Sequence, residues 1–123
     1  MNPLLKKLVF KNQEPVLLLN LPPELQTLSK DFAKAHTTPK GKYGFLLAFV
    51  KSLAEGEKLA KRLPKHLDEK TVVWVAYPKG TSKKYKSDYN RDTGYALMEK
   101  HGLDGVSLVS LGDDWSAMRF KKV

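Results

Sequence analysis

The chain has 123 residues, 41% hydrophobic and 28% charged, and its 22 Lys and Arg against 13 Asp and Glu give a formal charge of +9. A chain of this length makes one domain and buries about two-thirds of its unfolded surface, which excludes a collagen-like, mostly disordered or membrane-spanning chain. It has no cysteine, so disulfides, zinc–thiolate and iron–sulfur sites and cysteine nucleophiles are excluded too.

Asn2 to Leu8 predicts a short helical turn, and the stretch to Pro15 lacks the long apolar core of a leader. The expectation is a cytoplasmic protein with no membrane association. Val16-Leu17-Leu18-Leu19 reads as a strand buried on both faces. Pro22 and Pro23 fit a first helical turn, and Leu25, Leu28 and Phe32 space one helical face. Asp31 to Thr38 is either an edge strand or more of that helix. Tyr43 to Val50 is a second buried strand. Ser52 with Glu55 makes a capping box, and Leu53, Gly56, Ala60, Leu63 and Leu67 share one face of the helix that follows, shortened by Pro64. Thr71 to Tyr77 is a third buried strand, β-branched and aromatic. Pro78 to Lys86 is a polar loop. Asn90 caps a helix to His101, which Gly102 ends. Asp104-Gly105 predicts a turn, and Val106 to Leu111 and Trp115 to Lys122 form a hairpin through Gly112-Asp113-Asp114. Strands alternating with helices specify a mostly parallel sheet covered on both faces, ending in an antiparallel hairpin. Residues 1–123 thus read as a single three-layer α/β domain.

The excess of positive charge, with a pI near 9.7, attracts polyanions through counterion release. Nineteen of the basic residues are lysines, and only Arg62, Arg91 and Arg119 are arginines. Base and phosphate readers rely on arginine's planar fork. The charge therefore points to solvation, or to weak, non-specific nucleic-acid binding.

In a parallel sheet the functional loops lie beyond the carboxyl ends of the strands. The topology places there the loops Asn20 to Glu24, Lys51-Ser52, Pro78 to Lys86 and Gly112 to Asp114. The candidate ligand-binding residues are Asn20, Lys79, Ser82, Asp113, Asp114 and the flank of Trp115. Asp113-Asp114 fits an acid/base pair or a magnesium ligand set, but a hairpin turn in which aspartate bonds its own backbone explains it better. Ser82 and Ser116 lack a G-x-S-x-G elbow. His36, His66 and His101 share no metal-ligand spacing, so no metal is expected. The loop Lys79 to Lys86 interleaves four lysines with Tyr85, a pattern that stacks bases and holds phosphates, yet a solvated connection is the better reading. No G-x-G-x-x-G or phosphate-cradling P-loop exists. The first strand-to-helix turn, Asn20-Leu21-Pro22-Pro23, has two prolines where a cofactor turn needs bare N–H groups. No cofactor is expected.

Four segments carry a resemblance: Thr38-Pro39-Lys40-Gly41, Phe49-Val50-Lys51-Ser52, Trp74 to Lys79, and Asp113-Asp114-Trp115-Ser116-Ala117-Met118-Arg119-Phe120. Together they resemble a family of small bacterial domains of unknown function. The resemblance covers nearly the whole chain and is most specific in the closing Asp113-Asp114-Trp115-Ser116 signature. It implies a bacterial cytosolic origin and favours a short strand within Asp31 to Thr38. More distantly, the element order resembles the later half of the Rossmann-like methyltransferase core, which implies strand order 1-2-3-5-4 for the main strands. The first reading of function is a non-catalytic module binding a protein or a small anionic ligand at the loop edge. The alternatives are a small, degenerate transferase-like enzyme and a weak, non-specific nucleic-acid binder.

Overall fold

The computed structural model describes residues 2–123. Asn2 caps α1 (Pro3–Lys7) by accepting the Leu4 N–H, and Pro3 sits where a missing N–H costs nothing. β1 spans Val16–Leu19. The single helix expected after Pro22-Pro23, with Leu25, Leu28 and Phe32 on its face, is instead a 3-10 turn, Pro23–Leu25, followed by one turn of helix α2, Leu28–Asp31. Thr27 precedes α2 without a side-chain cap bond.

The Asp31 to Thr38 ambiguity resolves into both elements in miniature. α2 ends at Asp31, and His36 then makes a one-residue parallel bridge to Leu17. Its N–H donates to Val16 O at 2.8 Å, and its carbonyl accepts from Leu18 N at 2.9 Å.

β2 (Phe45–Phe49) and β3 (Val72–Pro78) are buried throughout. Between them lies α3 (Leu53–Arg62), capped by the Ser52 side chain at Glu55 N and passing into a 3-10 turn, Leu63–His66, that contains Pro64. α4 (Arg91–Lys100) starts at a reciprocal cap between Asn90 and Thr93. Gly102, at φ +83°, supplies the left-handed residue that turns the chain into β4. β4 (Leu103–Ser110) and β5 (Trp115–Lys122) complete one sheet of order β1-β2-β3-β5-β4. β1, β2 and β3 are parallel, and β5 runs antiparallel to both β3 and β4.

Asp104-Gly105 is not a turn. Both residues lie in β4, opposite Lys121 and Phe120, with a bulge immediately after Gly105. A Cβ on Gly105 would lie 2.8 Å from Tyr95 ring carbons and 2.9 Å from the Met118 sulfur, so the glycine is there for close packing against α4. The Asp104 carboxylate, which would otherwise serve a turn, accepts from the Tyr95 hydroxyl at 2.8 Å.

Two cores flank the sheet. One packs Leu46, Val73, Val75 and Met118 against Leu59 and Ala60 of α3 and Leu97 and Met98 of α4. The other packs Leu47, Trp74 and Trp115 against Leu5, Leu25, Leu28 and Phe32 from α1, the first 3-10 turn and α2. The β1-to-β2 connection thus leaves on the face opposite α3. Two successive right-handed steps in one direction would put both connections on the same face. His36 reconciles this. The chain steps outward beyond β1, bridges there, and returns across β1 past Tyr43, which lies in the α3-side core. Its direction across the sheet therefore reverses between β1 and β2, and that gap is the switch point where an open α/β sheet leaves a crevice. Among the described residues no helix is long and apolar enough to cross a membrane.

Candidate functional site

Two different environments make up the carboxyl edge of the sheet. Over β3 and β5 it is filled. Trp115 is 1% exposed, its ring set edge-on to Phe49 at 5.3 Å and tilted on Tyr85 at 5.2 Å. Tyr77 is buried against Tyr89.

The loop after β3 is tied down over this plug. Lys79 N donates to Asp114 O at 2.9 Å, and Lys79 Nζ to Ser110 Oγ at 2.6 Å. Ser82 Oγ donates to Asp114 Oδ1 at 2.8 Å and accepts from the N–H groups of Lys84 and Tyr85. A solvated reading suits the exposed Lys83 and Lys86 but not Tyr85, which packs against Trp115 with the Lys51 ammonium over its ring, 5.2 Å from the centroid.

The structure thus gathers Lys79, Ser82, Asp114 and Trp115 of the candidate set. Asp113 stands exposed in the hairpin turn, and Asn20 lies apart, over β1 and β2.

Glu24 belongs to this cluster and carried no sequence signal. Its Oε1 accepts from the Tyr85 hydroxyl at 2.5 Å and lies 3.7 Å from Lys84 Nζ. The Tyr85 hydroxyl is the main reason its carboxyl sits below the ordinary glutamate range; burial works the other way. The same bond, together with burial and the neighbouring carboxylates, pushes the Tyr85 hydroxyl up to about 12. Trp115 Nε1 and Glu24 Oε2 are both buried without closing a hydrogen bond, yet the indole N–H still helps to hold the carboxylate ionised, as a nearby dipole does. The arrangement is a latch. Lys79, Ser82 and Tyr85 of the loop each reach a partner on the 3-10 turn or the hairpin.

Over β1 and β2 the edge is open. A cleft of about 360 Å³ lies between Asn20 at the end of β1, Thr37 and Thr38 after the His36 bridge, and Glu55, Lys58 and Arg62 of α3. It sits at the switch point. Asn20 holds φ +59° there, and its side chain donates to Phe49 O at 3.4 Å, bridging the ends of β1 and β2. Glu55 Oε1 is engaged by the Lys51 N–H. Among the described residues neither Lys58 nor Arg62 is in an ion pair. Two cations face one engaged carboxylate, so the cleft favours an anion. Among the described residues no cluster of three or more His, Cys, Asp or Glu could hold a metal ion.

The turn that a cofactor's phosphate or carboxylate would meet is poorly furnished. Pro22 is buried, Pro22 and Pro23 offer no N–H, and the Leu25 and Gln26 N–H groups are consumed by Pro22 O and Pro23 O. The helix that should present its N-terminus is a three-residue 3-10 turn. These residues do not fit a cofactor held by backbone donors at the first turn.

No family model matches the chain, and no curated protein matches it. Solved structures do, at the level of fold. A TehB-like SAM-dependent methyltransferase from Corynebacterium glutamicum is 12% identical with TM-score 0.53, over 86% of this chain and 67% of that one. A SAM-dependent methyltransferase from Aquifex aeolicus is 10% identical with TM-score 0.58, over 98% and 76%. The mitomycin 7-O-methyltransferase MmcR is 13% identical with TM-score 0.61, but this chain covers only 41% of it. The strand order 1-2-3-5-4, parallel and then antiparallel, is that of the Rossmann-like methyltransferase fold. At these identities the likeness is one of fold.

Proposed function

We propose that this methyltransferase-like domain is a non-catalytic module that binds a small anionic ligand in the cleft between the carboxyl ends of β1 and β2. The observation that carries this reading is the placement of Lys58 and Arg62, without carboxylate partners among the described residues, on a cleft at the switch point of the sheet. Arg62 supplies a planar pair of donors and Lys58 a point charge. Asn20, Thr37 and Thr38 supply neutral polar contacts.

The experiment is a titration of the amide spectrum with pyrophosphate. Saturable shifts are expected at Asn20, Thr37, Thr38 and the second half of α3, with Arg62→Ala weakening binding about tenfold, the worth of ~1.4 kcal/mol. Shifts confined to Lys83–Lys86, or shifts that never saturate, would refute it.

A second reading, a small degenerate transferase on the same edge, is favoured by the methyltransferase neighbours. It is separated from the first by calorimetric titration with S-adenosylmethionine. The Pro22-Pro23 turn leads us to expect no micromolar binding, and micromolar binding would favour the transferase.

A further inference from the structure

The opposite margin of the sheet is an unpaired strand, β4. Edge strands are ordinarily guarded by lysine, proline or shortness. β4 has eight residues with neither lysine nor proline. From His101 to Phe120 the sequence has no lysine at all, although nineteen are spread over the rest. The strand does carry a bulge between Gly105 and Ser107. The Ser110 carbonyl is already taken by Lys7 Nζ at 3.1 Å, so the available edge runs from Val106 to Val109. Val106 and Leu108 on that edge are 47% and 46% exposed, and with the terminal Val123 they are the large apolar side chains left exposed among the described residues. Leu108 borders a cavity of about 360 Å³ floored by Tyr95 and Met118 and rimmed by Arg91 and Asp92.

We infer that this edge pairs with a second copy of the chain, β4 antiparallel to β4 about a two-fold axis near Leu108, making one continuous ten-stranded sheet. Three observations favour a second copy over another occupant. A contact between identical chains must be self-complementary, and the rim, where Arg91 Nε lies 3.3 Å from Asp92 Oδ1 of the same chain, presents no net charge to its own copy. A chain of +9 charge repels itself over most of its surface, and the stretch His101 to Phe120 carries no lysine of its own, Lys7 and Lys79 reaching it at Ser110. With the axis near Leu108, Asp104, the one carboxylate on β4, lies four residues away from it and does not face its own copy.

The test is sedimentation equilibrium of the full chain at neutral pH. Wild type is expected to show a monomer–dimer equilibrium with Kd at or below about 100 µM. Because the contact is apolar while the rest of the surface is repulsive, added salt should tighten it. Leu108→Lys and Val106→Lys should each weaken the dimer at least about tenfold, with thermal melts showing that the variants fold. A third variant, Ser107→Lys, introduces the same charge at an exposed residue without removing an apolar side chain, and should also weaken it. A wild type still monomeric at about 1 mM, a dimer insensitive to all three variants, weakening by salt, or assembly beyond two copies would each overturn the inference.

Discussion

Removing the Trp115 indole tests whether the filled half of the carboxyl edge is a structural plug. The ring is 1% exposed, lies edge-on to Phe49 at 5.3 Å and meets Tyr85 at 5.2 Å. Nothing around it is free to collapse into the space, because Phe49 is held in β2 and Tyr85 is tied to Glu24. Truncation of a buried aromatic under these conditions costs about 3–5 kcal/mol, against a total of about 5–15 kcal/mol for a domain of this kind. At this chain length the loss lowers the midpoint of thermal unfolding by about 10–25 °C. Asp114→Ala removes the acceptor of Ser82 and should cost about 1 kcal/mol. Asp113→Ala, on an exposed turn residue, should cost less than about 0.5 kcal/mol. Calorimetric melts of the three variants decide the matter. A Trp115→Ala protein melting within a few degrees of wild type would refute the plug and return this half of the edge to the list of binding sites.

Other outcomes follow from the same geometry. The Glu24 carboxyl is held below its ordinary value, first by the Tyr85 hydroxyl. Its contribution to stability is therefore complete above the unfolded value of about 4.3 and is lost as pH falls through the lower folded value. Tryptophan emission should change on acidification below about pH 4, and Glu24→Gln should flatten that change; an unaltered profile would count against the latch. Gly56→Ala should destabilise by about 1–3 kcal/mol despite alanine's better helix propensity, because its Cβ would lie 2.7 Å from a Tyr89 ring carbon and 3.1 Å from Leu97 Cδ2; a stabilised variant would show that Tyr89 shifts freely. Any binding to DNA or RNA should be sequence-blind and fall steeply with salt, since lysines carry most of the charge; discrimination between sequences that survives ~200 mM salt would contradict this.

The elements most legible in the sequence were those specified by short-range physics. The apolar runs Val16 to Leu19, Tyr43 to Val50 and Thr71 to Tyr77 read as buried strands, and Ser52 and Asn90 cap helices through contacts two or three residues away. The strand order was legible only through the resemblance of the element order to the later half of the Rossmann-like methyltransferase core, which implies it. Gly105 misled because a glycine that makes room for a distant ring looks the same in sequence as one that turns the chain, and the ring that needs the room, Tyr95, lies on the preceding helix. Glu24 was invisible for a similar reason. Its partner Tyr85 is 61 residues away, and no periodicity or spacing links them. The basic loop was read by composition, and composition describes Lys83 and Lys86 correctly while missing the one aromatic that anchors the segment. Asn20 was found through topology alone, which fixes the edge of the sheet on which a residue falls but not which half of that edge stays open.

The division of the carboxyl edge into a closed and an open half goes with the short element after β1. Pro22 and Pro23 open a single 3-10 turn there, and that turn places Glu24 beside Tyr85 and Trp115. A longer helix starting at the same place would present its N-terminal N–H groups to the crevice and carry the Glu24 position away with it. This turn therefore lacks the backbone donors a nucleotide-like ligand needs and supplies the carboxylate that latches the loop after β3. What remains open lies beyond the reach of that latch, where the chain has stepped out to His36 and back, and where the nearest charges come from the side chains of α3. Under the proposed anion-binding role, recognition in that cleft falls to Lys58, Arg62 and Asn20 and not to backbone amides. Replacing Pro22 and Pro23 with glycine and alanine should loosen the latch, visible as a change in Trp115 fluorescence, while leaving anion binding at Arg62 in place. Loss of both together would show that the two halves of the edge are one site.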